Sequence, residues 1–204
     1  MQHRVIAYVD GYNLYYGLRS RGWKRYYWLN IQSMVAGLLK PGQVLQKTKY
    51  FTTIVKQPDD KRRRQTIFLE ALQSLRDFDI FYGHFLSGTV QCRHCGHAYR
   101  THHEKMTDVN ISVELMTDAF QDRFDTALVV SADSDLVGVV RAVTQLFPRK
   151  RLVAVFPPGR SSKALGQATG RATYIGRDLL AKSVFPETVA KPDGFLLRRP
   201  TEWR

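Results

Sequence analysis

Two cysteines, Cys92 and Cys95, are all that 204 residues carry, so no disulfide framework braces the chain and a reducing, cytoplasmic setting is expected. No apolar run approaches the ~18–20 residues of a spanning helix, which argues against a membrane-embedded protein. The stretch Arg4-Val5-Ile6-Ala7-Tyr8-Val9 is too short and wrongly flanked for a signal peptide. The P-loop and the G-x-G-x-x-G fingerprint are missing, which removes the common nucleotide-binding classes. Acid is scarce as well: 18 Asp and Glu stand against 31 Lys and Arg, a net charge of +13. A surplus of that sign favours a polyanionic partner, nucleic acid or a membrane surface.

What is present is compositionally ordinary, with 44% hydrophobic and 24% charged residues, enough for one globular domain. The charge is not evenly spread. Residues 1–64 hold 13 basic and 3 acidic side chains, residues 65–147 hold 6 and 11, and residues 148–204 hold 12 and 4. An acidic middle between two basic flanks reads either as scattered solvated charge or as a carboxylate site ringed by phosphate-binding groups.

Short β-branched runs alternate with longer helical patterns, the signature of an α/β domain with a mainly parallel sheet. Strands are expected at Val5–Val9, Lys49–Val55, Asp79–Phe85, Ala127–Val130 and Leu152–Phe156, with a weaker one at Ala172–Ile175. Helices are expected over Asn13–Arg19, Ile31–Leu39, Asp60–Leu75, Thr107–Phe120, Ser134–Leu146 and Ser162–Ala168. The unbroken apolar runs suggest strands covered on both faces, and ligands in such sheets bind beyond the strands' carboxyl ends. From Phe185 onward three prolines and Gly194 interrupt any pattern, so residues 185–204 read as a tail or an arm, leaving 1–184 as the domain.

Three motifs fall where chemistry is expected. Strand one ends in Asp10-Gly11-Tyr12-Asn13, which by itself describes a turn as well as a site. The strand Ala127–Val130 runs into Ser131-Ala132-Asp133-Ser134-Asp135. One of its carboxylates can cap a helix, but a cap accounts for only one of them. Two like charges held close are costly without protons or a cation, so a divalent metal is the economical explanation for this pair plus Asp10. Glu104-Lys105-Met106-Thr107-Asp108 opens a helix, and Asp108 is either a favourable dipole partner or a further ligand. Hard oxygen donors without a full protein cage suit Mg²⁺ or Mn²⁺, with substrate phosphate completing the shell. A phosphatase of the haloacid-dehalogenase type needs a second Asp at position 12, where Tyr12 stands.

In order and spacing, the three motifs together resemble those of the NYN domain family of PIN-like nucleases, across roughly residues 3–156. The resemblance implies a Rossmann-like, three-layer fold and a metal-dependent ribonuclease, expected to be endonucleolytic, with RNA as partner. Asp10, Asp108, Asp133 and Asp135 match the family's acidic metal positions, and Asn13 its polar partner. A catalytically silent RNA-binding module on the same fold is the competing expectation, and a homodimer is one assembly open to either.

Both cysteines and four of the six histidines lie in a proposed insertion loop, 88–103, and its flank. Cys92 and Cys95 with two of His97, His102 and His103, or with ligands borrowed from elsewhere, would make a tetrahedral structural Zn²⁺ site, His97 and His102 being the first candidates. An exposed loop whose histidines meet RNA is the alternative. For phosphate binding the candidates are Lys61, Arg62, Arg63 and Arg64, then Arg149 and Lys150, then Arg160 and Lys163. Tyr12, Tyr15, Tyr16, Trp23, Tyr26, Tyr27 and Trp28 offer stacking faces, about half of them expected in the core.

Overall fold

A computed structural model describes residues 2–91 and 94–204, with the backbone alone described for 84–90 and 99–105. Val5 to Val9 are all buried and form the middle of strand β1 (His3–Asp10). Their side chains alternate: Val5, Ala7 and Val9 enter one core, Ile6 and Tyr8 the other. A strand buried on both faces has to be central and covered by helices on each side.

From β1 the chain moves outward twice. Helices α1 (Gly11–Ser20) and α2 (Ile31–Ala36) lead to β2 (Gln43–Thr52), and α3 (Asp59–Gln73) leads to β3 (Phe78–Tyr82). It then returns past β1. An antiparallel hairpin, β4 (His84–Gln91) and β5 (Ala98–Lys105), precedes α4 (Thr107–Phe120), which crosses to β6 (Thr126–Val130). Helix α5 (Val137–Leu146), β7 (Arg151–Phe156), α6 (Lys163–Thr169) and β8 (Ala172–Tyr174) complete that half. The sheet order is β3-β2-β1-β6-β7-β8 with every pairing parallel. The Rossmann-like expectation therefore holds, and β1/β6 is the point where the direction of winding reverses.

The two helical layers are distinct. Leu14 and Leu18 of α1, Met34 and Val35 of α2, and Leu69 and Leu72 of α3 fill one face. Ile111, Leu115 and Ala119 of α4, Val140 and Val143 of α5, and Leu165 of α6 fill the other. Each large side chain so buried contributes ~1.5–3 kcal/mol.

Three stretches differ from the expected pattern. The run expected as one strand, Asp79–Phe85, is two, because Gly83 ends β3 and its N–H bonds back to Thr52 O. Residues around the expected insertion loop pair as the β4–β5 hairpin. Beyond α7 (Arg177–Lys182), which has no sequence period to announce it, residues 185–204 form the small hairpin β9 (Thr188–Ala190) and β10 (Leu196–Arg198) and a final 3₁₀ turn, Thr201–Trp203. Phe185 and Leu197 are buried, and the Trp28 indole donates to Pro186 O at 2.7 Å, so this segment closes the α1–α3 face. Among the described residues, no helix is long and apolar enough to cross a membrane.

Candidate active site at the carboxyl end of the sheet

Asp10 ends β1 and is buried, and its Oδ1 accepts from the Asn13 N–H at 2.9 Å, capping α1. Gly11 is dictated by space: a Cβ there would lie 2.5 Å from Tyr50 Oη and 2.8 Å from the Phe51 carbonyl oxygen. Burial pushes the Tyr50 hydroxyl up, so it stays protonated beneath the turn. Across the reversal point, β6 delivers Ser131, which is fully buried. Its Oγ donates to Asp10 Oδ2 at 2.9 Å and accepts from the Asp133 N–H at 3.0 Å. The Ala132 N–H donates to Asn13 Oδ1 at 3.1 Å. Asp133 Oδ1 then accepts from the Asp135 N–H at 3.0 Å, capping a 3₁₀ turn, Ser134–Leu136.

Strand ends that are distant in sequence are thus tied by one hydrogen-bonded chain, Asp10–Ser131–Asp133–Asp135, with Asn13 as a second bridge. Capping explains one oxygen each of Asp10 and Asp133. It leaves Asp135 unexplained, for its exposed carboxylate takes no hydrogen bond or ion pair among the described residues. Asp108 sits half-buried in the first turn of α4, and that helix packs on β1 and on the 134–136 turn. Met106, immediately before, holds φ 81°, a left-handed conformation that costs ~1–2 kcal/mol for a side chain with a Cβ.

No three Asp, Glu, His or Cys side chains converge into a ready-made metal cage among the described residues. The donor set is nonetheless all oxygen, which suits a hard divalent ion that keeps water and takes substrate oxygens as ligands. On donor chemistry the residues fit such an ion.

The basic candidates divide. Lys61 and Arg64 line a cleft of about 760 Å³ that begins at Gly11 and Tyr12. Arg64 is committed to Asp60 at 2.6 Å and Glu202 at 2.7 Å, Arg62 to Asp59 at 3.1 Å, and Arg63 is exposed. Arg160 shares an open notch of about 370 Å³ with Ala132, directly beside the carboxylates, and Lys163 starts α6 nearby. Arg149 and Lys150 precede β7 and so lie at the opposite end of the sheet. There Lys150 bonds Asp122 and donates to Phe124 O at 2.6 Å, which gives it a structural place. Of the seven aromatics, Tyr26 and Trp28 are buried, whereas Tyr15 and Tyr16 are 37% and 44% exposed.

Cys92, and the side chains of His102 and His103, lie outside the described residues. Cys95 and His97 are exposed in the turn joining β4 and β5.

One polar centre was not anticipated from sequence. Lys49, buried on β2, bonds Asp118 Oδ2 and Glu114 Oε2, both at 2.6 Å. Asp118, fully buried on α4, also accepts from the Tyr8 hydroxyl at 2.6 Å and pairs with Arg123 at 3.0 Å. Burial, then Asp118, push the Tyr8 hydroxyl up, so it remains a donor. The available signal was an acid on the otherwise apolar face of α4, between Leu115 and Ala119.

Comparison with known proteins bears on the family and the fold. The NYN domain family matches over residues 4–176. No protein of curated function matches the chain. A crystal structure of a protein of unknown function from Vibrio parahaemolyticus is similar in fold, with a TM-score of 0.55 at 18% identity, covering 87% of this chain and 95% of that one.

Proposed function

The chain belongs to the NYN domain family of PIN-like nuclease domains, and from that footing we propose that it is a metal-dependent ribonuclease that cuts RNA internally at the β1/β6 strand ends. The observation that carries this reading is the hydrogen-bonded chain from Asp10 through Ser131 to Asp133 and Asp135. It gathers like charges on a surface that a polyanion has to approach, an arrangement that opposes RNA unless a cation intervenes.

Asp10, Asp108, Asp133 and Asp135 would hold Mg²⁺ or Mn²⁺, which when bound supplies charge neutralisation at the scissile phosphate and a more acidic water. The chain's own groups do the rest. Ser131 fixes the Asp10 carboxylate. Asn13, with Oδ1 taken by Ala132, keeps its amide N–H groups for a phosphate oxygen or a water. Asp135, exposed and unbonded at its carboxylate, is placed to accept a proton from the attacking water. Arg160 and Lys163 on one side and Lys61 on the other hold flanking phosphates.

The test is cleavage of a labelled circular RNA, which has no ends, with Mg²⁺ or Mn²⁺ and with chelator. Wild type is expected to linearise it only with the metal, and Asp133→Asn to bind without cutting. Equal cutting by both proteins overturns the site, and binding without cutting under either metal points to a non-catalytic RNA-binding module.

A further inference from the structure

Beside the carboxylates, a chain of rings leads away from Asp10. Tyr12 and Tyr16, one turn apart on α1, stack with centroids 6.1 Å apart and planes 25° from parallel. Tyr16 meets Tyr15 at 5.3 Å, Tyr15 meets Tyr27 at 5.1 Å, and Tyr27 meets Trp203 at 5.8 Å. These rings line the cleft of about 760 Å³, within the ~300–1,000 Å³ typical of ligand sites. Four cations, Arg19, Lys24, Lys61 and Arg64, line it too, and its single acid among the described residues, Glu202, is neutralised by Arg64 at 2.7 Å.

We infer that this cleft is a stacking subsite for unpaired bases of an RNA strand running to the carboxylates, and that the C-terminal turn supplies one of its walls through Trp203. The inference rests on the ribonuclease reading and adds a subsite to it. Trp203 lies outside the family-matched residues 4–176, so this wall is a feature of the chain beyond its family domain. Its turn is held by two arginines: Arg64 pairs with Glu202, and the Arg199 guanidinium, itself bonded to Arg25 O at 2.7 Å, donates to Trp203 O. Tyr15 and Tyr16 are exposed while Tyr12, Tyr27 and Trp203 are half-buried, and only Tyr12 and Tyr16 lie near parallel, the later pairs being tilted or edge-on. An aromatic face accepts any base, and the cationic rim matches a phosphate backbone. A purely apolar ligand would leave Arg19, Lys24 and Lys61, which have no carboxylate partner among the described residues, at the rim without a purpose. A base-paired strand keeps its bases inside the duplex and presents no face to Tyr16 or Trp203.

The experiment is equilibrium binding of a fluorescein-labelled single-stranded RNA in chelator, where cutting is silenced, set against a strand of equal length with abasic sites. The proteins are wild type, Tyr16→Ala, Trp203→Leu and Trp203→Phe. Tyr16 is exposed enough for its truncation to leave the fold alone, and a melting midpoint checks each variant. Tyr16→Ala and Trp203→Leu are expected to weaken binding of the intact strand roughly tenfold or more each, the scale of one lost base–aromatic contact. Trp203→Phe should retain most of the affinity, and the abasic strand should bind all four proteins alike. Folded variants that bind the intact strand as wild type does, or lose the abasic strand equally, overturn the subsite while leaving the ribonuclease reading intact. Failure of wild type to bind any RNA, in chelator and again with Mg²⁺, overturns both.

Discussion

Replacing Lys49 by Met removes a cation from the middle of the protein and leaves its partners behind. Asp118 is fully buried, and Glu114 is three-quarters so, with its side chain 25% exposed. After the change Asp118 keeps Arg123, whose side chain is 53% exposed and therefore screened by water, and Glu114 keeps no ion pair among the described residues. Breaking a buried pair by deleting one partner costs ~3–5 kcal/mol, because the orphaned charge stays desolvated. For a chain of 150–250 residues each kcal/mol moves the melting midpoint by ~2–4 °C, so a fall of roughly 6–20 °C is expected for Lys49→Met. Urea unfolding of Lys49→Met, Asp118→Asn and the double variant measures the coupling. The double variant should lose less than the sum of the single losses by ~1.5 kcal/mol or more, since neutralising Asp118 removes the penalty that Lys49→Met created. Because α4 carries Asp108 in its first turn, Lys49→Met should also cut RNA more slowly at temperatures where it is fully folded. A loss below about 1 kcal/mol, or strict additivity, would refute the assignment of this network as the clamp between β2 and α4.

Three other changes separate site from scaffold. Asp135→Asn, at an exposed carboxylate without partners, should leave the unfolding midpoint within the ~0.5 kcal/mol of ordinary surface substitutions while lowering RNA cleavage by roughly 100-fold or more. Gly11→Ala should lower both, because the Phe51 carbonyl 2.8 Å from the new Cβ is backbone and cannot swing aside; paired melting and cleavage assays check it. At the amino end of the sheet, hydrogen bonds from Arg4 hold the Asp125 carboxyl down to about 2 from its ordinary 3.8. A carboxyl depressed in the folded state stabilises it above the unfolded value, and that contribution is lost as pH falls from about 4 to about 2. In acid titrations the stability gap between wild type and Asp125→Asn should therefore close over that window.

The parts legible in the sequence are those governed by local rules. Strands β1, β6 and β7 announce themselves because a strand buried on both faces has to be apolar at every position, and α4 and α5 because one face repeats. The motifs at residues 10–13 and 131–135 are legible as candidates since a turn after a buried strand exposes whatever side chains it carries. Long-range pairing is what local rules miss. Lys49 and Asp118 are 69 residues apart, and nothing near Lys49 on β2 marks it as buried. Helix α7 is only six residues long, too short to show a period. Lys150 sits in a basic run and so reads as a phosphate ligand, yet its neighbours in space are Asp122 and Phe124, which only the fold supplies.

Pairing also changes the meaning of the net charge. Within the acidic stretch 65–147, Glu70, Asp79, Glu114, Asp118, Asp122 and Asp125 each have a Lys or Arg partner. Asp77, exposed in the turn before β3, and Asp133 and Asp135 have no such partner among the described residues, although the chain carries 31 Lys and Arg, and of these three only Asp133 and Asp135 sit together at a strand's carboxyl end. A protein so rich in cations neutralises its structural carboxylates from its own supply. Leaving this pair without one, tied by hydrogen bonds to a buried Asp10, keeps its oxygens for an external cation. A divalent ion that binds only the folded protein would raise the melting midpoint with its concentration. The position of the unpaired acids, more than the sum of +13, is therefore what points to the β1/β6 strand ends as the place where cation and RNA phosphate meet.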